Sequence, residues 1–252
     1  AKGRAMQGSA WTVEGLEQVP RGEVDEKQAP LLRLVEGQMR AFFYAGRAMD
    51  VVHALEVARA NGFLAKTVLV LSGDAWKAAD RIAEAGVPVI WDGDVMHAER
   101  DAISGELSET FVPGELDRLG VRFALSSQNP SSQSLWYQAA LCVGHGLPRE
   151  KAIASVTTVP AEILGLSKRV GSLEAGKDGN VLLLSGDPLS VTSWVERVVI
   201  EGRPAYDRST DIRLKHLLTG EGPAGTMAMG ATPFEGEVCC ENNTPHTHDE
   251  DD

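Results

Sequence analysis

The sequence predicts an α/β protein: a parallel sheet with helices between its strands, followed by a small β-rich segment. Three observations predict it. Short apolar runs of strand length alternate with longer stretches of helical period across residues 26–164. Two of those runs, KTVLVLS (66–72) and VPVIW (87–91), are continuously apolar, which marks strands buried on both faces, as in parallel sheets. After Gly171 the pattern changes to brief apolar stretches set between Gly, Asp and Pro.

The elements follow in order. Leu31, Leu32, Leu34 and Val35 recur at helical spacing and predict a helix over 26–38. AFFYA (41–45) reads as a buried strand. Val51, Val52, Leu55 and Ala58 share one face of a helix over 50–61, with Asp50 as its N-cap and Gly62 as its stop. The strand 66–72 leads to a helix over 76–85 ended by Gly86, and then to the strand 87–91. A charged connection, 92–113, reads as a loop. A short helix over 115–119 precedes the strand VRFALSS (121–127), and helices are predicted over 135–144 and 149–164. Strictly alternating units of this kind give a parallel sheet with right-handed crossovers. No Gly-rich phosphate loop follows any strand, which disfavours a nucleotide-binding doubly wound sheet. NVLLL (180–184) and VERVVIE (195–201) are predicted as short strands around the turn Gly186-Asp187-Pro188.

Residues 148–207 carry a more specific pattern. Thr157, Pro160, Ala161, Leu164 and Gly165 form a T-x-x-P-A-x-x-L-G segment; the turn Gly171 to Asp178 (GSLEAGKD) follows, then Gly-Asp-Pro-Leu at 186–189 and an ending at Glu201, Gly202, Arg203, Ala205 and Tyr206. This resembles the C-terminal region of the amidohydrolase superfamily, especially its imidazolonepropionase-like group. The likeness runs more loosely back to residue 25. It implies the second half of a TIM-like (β/α) barrel plus the C-terminal part of a small β-sandwich. The expected division is 1–170 for the barrel portion, 171–210 for the sandwich portion and 211–252 for a low-order tail.

The resemblance also implies where a site would lie. In that family a divalent metal such as zinc is held at the C-terminal ends of strands by His residues, with a carboxylate as base. Gly46, Leu71 and Gln128 stand at the matching positions, where Gly and Leu have no ligand atom and Gln has only a neutral amide. They are expected to converge facing the barrel axis. The family's first-strand His-x-His pair is not in this chain, and an active metal site would require a missing N-terminal half or a partner to supply it. Arg47, Asp74, Ser126, Ser127, Gln128 and Asn129 are the candidates for contacting a small molecule. Asp92, Asp94, His97 and Glu99, in the charged connection, could form a cation site, although charged loops are usually only solvated. His53 reads as a helix residue and His145 as a helix-end cap. Cys239, Cys240, His246 and His248 could bind a metal but fit a tail better.

Composition bounds the rest. A formal charge of -12 disfavours nucleic acid and anionic membranes as partners. Three cysteines are no disulfide framework and favour a reducing compartment, such as the cytoplasm. No apolar run is long enough to span a bilayer. The expected function is a degenerate, metal-free member of the family that binds a small molecule or a partner subunit, with no cofactor. The alternative is an active metal-dependent hydrolase of carbon–nitrogen bonds in cyclic amides, its metal site completed by the missing half or a paralogous subunit.

Overall fold

Strands and helices alternate along the chain, in a computed structural model that describes residue 27 and residues 29–127 and 134–220. Helix α1 (Ala29–Val35) leads to β1 (Ala41–Ala45), α2 (Ala48–Ala60) and β2 (Thr67–Leu71). A 3-10 turn (Ala75–Ala78) opens α3 (Ala79–Ala85), which Gly86 ends in the left-handed conformation. Then come β3 (Val89–Trp91), β4 (Met96–Arg100), β5 (Leu107–Phe111), α4 (Val112–Arg118) and β6 (Phe123–Leu125). Helices α5 (Leu135–Gly144), α6 (Arg149–Ala154) and α7 (Thr158–Ile163) precede strands β7 (Val181–Leu184), β8 (Val195–Ile200) and β9 (Arg203–Asp207).

The principal sheet has the order β1-β2-β3-β6, every pair parallel. The expected α/β class and the four expected strands are therefore present, each within the predicted span. One face of the sheet is covered by helices. Ala45, Leu69, Leu71, Val89, Trp91, Phe123 and Leu125 pack there with Val51, Ala54 and Leu55 of α2, Ile82 of α3, Leu116 of α4 and Ala139 and Cys142 of α5. Alternation along each strand sends the intervening residues to the opposite face. There Val68, Ile90 and Ala124 pack with Val159 and Ile163 of α7, while Phe42 and Tyr44 of the edge strand β1 are exposed. This second face is called the open face below.

Three sequence readings are corrected. The charged connection 92–113 is not a loop: β4 and β5 pair as an antiparallel hairpin with Met96 opposite Phe111 and Arg100 opposite Leu107. The single helix expected over 149–164 is two, α6 and α7, broken at Ser155–Thr157. Pro160 lacks the N–H that a helix interior needs, so it sits in the first turn of a new helix. Asp50 is not the N-cap of α2 but lies one turn inside, where its Oδ2 accepts the backbone N–H of Gly46 (3.2 Å) and of Arg47 (3.0 Å). Arg47 occupies the cap position.

The segment after Gly171 forms a three-stranded antiparallel sheet, β7-β8-β9, one strand more than expected. Asn180 holds the β8–β9 turn, its Oδ1 accepting the N–H of Glu201 at 2.9 Å. The chain divides into two units at Asp207/Arg208. In the second, Ile212–Thr219 is a helix, α8, capped by Asp211, whose side chain accepts from Arg213 N and Leu214 N. That helix corrects the low-order reading for residues 211–220. The remainder of the tail, with its cysteines and histidines, lies outside the described residues.

Candidate functional site

Side chains at the C-terminal ends of parallel strands are where α/β folds place their chemistry. Here the ends are defined residue by residue. Ala45, Leu71, Trp91 and Leu125 stand side by side as the last register row of the sheet. All four are buried on the helix-covered face. The ladder then continues by one more bond per strand: Ser72 N to Ala45 O (3.0 Å), Asp92 N to Leu71 O (2.8 Å) and Ser126 N to Trp91 O (2.9 Å). The next row is thus Gly46, Ser72, Asp92 and Ser126, and alternation turns it to the open face.

This phase corrects one expected site residue. Leu71 does not face the open side; it is fully buried against the helices. Ser72 takes the position that Leu71 was expected to hold. Gly46 is in the row as expected, and a Cβ built there would meet only Ser72 Oγ at 3.8 Å, so a side chain fits. At Gly73 none does: φ is +55° and a Cβ would lie 2.7 Å from the carbonyl oxygen of Gly46. The third expected position, Gln128, lies outside the described residues, as does Asn129.

One contact crosses the row. Tyr44 and Asp92 lie on the open face of β1 and at the end of β3, with β2 between them. The Tyr44 hydroxyl donates a short hydrogen bond to Asp92 Oδ2. The bond bridges about 10 Å of sheet, two strand spacings, and passes over the end of β2. The hydrogen bond to Asp92 holds the Tyr44 phenol above its ordinary range, so it stays protonated and donates. The other carboxylate oxygen, Asp92 Oδ1, is buried and has no hydrogen-bond partner, and so is Trp76 Nε1.

The remaining candidates disperse. Asp74 is half-buried at the start of the 3-10 turn. Ser126 lends its carbonyl to Gln138 Nε2 at 3.1 Å, and Ser127 is exposed. Arg47 is exposed at the head of α2. The proposed cation set separates. Asp92 is tied to Tyr44, Glu99 is paired with Lys77 at 2.7 Å, and His97 lies edge-on to Trp76 with ring centroids 6.1 Å apart. Among the described residues no three His, Cys, Asp or Glu gather in a metal-holding group. A divalent metal of the zinc type needs three or more N, S or O ligands at one point. The row Gly46, Ser72, Asp92, Ser126 offers one carboxylate, already engaged, and two neutral hydroxyls, so these residues do not fit such an ion.

Sequence reasoning missed Tyr44 and Ser72. The signal for Tyr44 was a polar aromatic inside an otherwise apolar strand. For Ser72 the signal was absent, because every residue of β2 is buried and neither face announces itself. Cys142 is a buried thiol that burial pushes up to about 12, chemically quiet at neutral pH. No described helix is long and apolar enough to cross a membrane.

Comparison with known proteins agrees with this architecture. The Amidohydrolase family profile matches residues 122–206. The chain is 39% identical over 83 residues to amidohydrolase tasK of Hapsidospora irregularis, covering 32% of this chain and 8% of that protein. It is 29% identical over 149 residues to an N-substituted formamide deformylase of Arthrobacter pascens, covering 52% and 27%. Among solved structures, an amidohydrolase from Thermotoga maritima MSB8 superposes with a TM-score of 0.63 at 29% identity, over 74% of this chain and 48% of that one. The chain therefore spans under half the length of these relatives. A parallel sheet with helices in alternation, the family profile over its last strand and the segments beyond it, and these relatives together support membership of the amidohydrolase superfamily, most directly for residues 122–206.

Proposed function

We propose that this chain is the second half of a (β/α) barrel with the C-terminal part of a small β-sandwich, and that its strand-end site is degenerate. The protein then holds a small molecule, or a partner subunit, without a resident divalent metal. One observation carries this reading. The row that closes the four strands on the open face is glycine, serine, aspartate and serine, and its one carboxylate is bonded across the sheet to Tyr44. Metal-dependent hydrolysis needs imidazoles or carboxylates at such positions to lower the pKa of a bound water. Hydroxyls hydrogen-bond but bind zinc weakly, and glycine binds nothing.

The test is metal analysis of the full-length protein from which this chain comes. Little zinc should co-purify. Gly46→His, Ser72→His and Gln128→Asp together should raise zinc uptake if the first half supplies a His-x-His pair. Stoichiometric zinc in the unaltered protein, removed by a chelator together with hydrolysis of a formamide or a cyclic amide, would establish an active hydrolase instead.

A further inference from the structure

We propose that the Tyr44–Asp92 pair at the open end of the sheet recognises a small organic amine, bound as its ammonium. The inference rests on the metal-free reading of the same site.

The argument begins with Asp92. Its carboxylate accepts from Tyr44 through Oδ2, while Oδ1 is buried and has no partner. No described Lys, Arg or His forms an ion pair with it. A half-buried carboxylate with one donor and no counter-ion is costly, and a cation seated beside Oδ2 and the Tyr44 ring offsets its charge. An ammonium brings that charge, whereas a hydroxyl brings none. A carboxylate or phosphate ligand would be repelled.

The surroundings fit the rest of such a molecule. The Tyr44 ring is 59% exposed on the open face, and Phe42, two residues earlier on that face, is 47% exposed. Exposed aromatic faces beside one carboxylate attract organic cations through the ring quadrupole and cover their apolar parts. The hydrogen bond from Tyr44 fixes the carboxylate, so little order is lost when the ligand arrives. Gly46 leaves open the space beside Ser72 that a longer side chain would fill. The net charge of -12 raises the local concentration of any cation.

The experiment compares benzylamine with benzyl alcohol, which share a shape and differ in charge. Binding to the full protein is measured by calorimetry at neutral pH, with zinc content determined on the same sample. Benzylamine should bind saturably and at least about tenfold more tightly than benzyl alcohol, the difference expected of a charge-assisted bond. Asp92→Asn keeps the size of the side chain and removes its charge. It should abolish the preference for the amine and return the Tyr44 phenol to an ordinary titration, read from tyrosinate absorbance. Should Asp92→Asn fail to fold, the amine–alcohol comparison on the unaltered protein decides alone. Equal binding of the two compounds, no saturable binding of benzylamine, or a folded Asp92→Asn protein that still prefers the amine would overturn the inference. Stoichiometric zinc in the sample would overturn the metal-free reading itself. A zinc-free protein indifferent to benzylamine overturns only the amine assignment.

Discussion

Leu71 and Ser72 are neighbours with opposite fates, and the difference is a matter of strand phase. Leu71 is fully buried against α2 and α3, whereas Ser72 is half-buried on the open face. Leu71→Ala should cost about 2–5 kcal/mol of stability, since it leaves a cavity in a packed core. Ser72→Ala should change stability by less than about 1 kcal/mol. Chemical denaturation of both variants checks this; equal losses would mean the two faces are assigned in reverse. The phase could not be read from the sequence. A strand with one wet face alternates, and the apolar half of the alternation names its buried side. The segment TVLVL is buried at all five positions, so each register looks alike. Tyr44 was more legible, because a phenol in an apolar run usually has a polar partner, though nothing in the sequence named Asp92.

At the scale of elements, continuous apolar runs located the four parallel strands, and their order along the chain is their order in the sheet. The hairpin of β4 and β5 escaped because its strands, MHAER and LSETF, are largely exposed and held by backbone pairing. Charge there signals solvent, and both a loop and an exposed hairpin meet solvent. The break between α6 and α7 was legible in principle from Pro160. The turn after α7 depends on one close approach. Gly171 has φ +100°, and a Cβ there would lie 2.7 Å from Ala161 Cβ and 3.2 Å from the carbonyl oxygen of Thr157. Gly171→Ala therefore combines backbone strain with a clash and should destabilise by about 1–3 kcal/mol. Thermal unfolding tests it, and an unchanged midpoint would show that the turn has room to move.

Across the first unit as a whole, the large and small sheets are tied by Arg149 and Asp187. The guanidinium at the start of α6 meets the carboxylate of the β7–β8 turn at 2.6 Å, and the Leu189 N–H donates to the same oxygen at 2.8 Å. Arg149 first, then the Leu189 amide, holds the Asp187 carboxyl below the usual carboxylate range. A pKa lower in the folded than in the unfolded state favours folding where the group is ionised. The contribution is complete above the unfolded value of about 4 and disappears as pH falls through the lower folded value. Arg149→Met should therefore lower the unfolding midpoint most near pH 6, with the gap closing as pH falls below about 4. A pH series of melting curves reads this directly, and a gap that widens in acid would exclude the pair as its cause. Leu189 also packs against the main core, so the variant should stay folded. The sequence placed Asp187 in a turn, but the partner 38 residues earlier belongs to tertiary structure.

The hairpin has a use beyond its part in this fold. Among the described residues its strands pair only with each other, its neck is closed by the bond from Val112 N to Val95 O at 3.2 Å, and its far end carries Ile103, almost wholly exposed. An insert sealed at its own base can be lengthened or trimmed at the tip without disturbing Trp91 on one side or Val112 on the other, while Glu99 and His97 on β4 keep their contacts with Lys77 and Trp76. The tip is thus where length can change while the strands beneath keep their register.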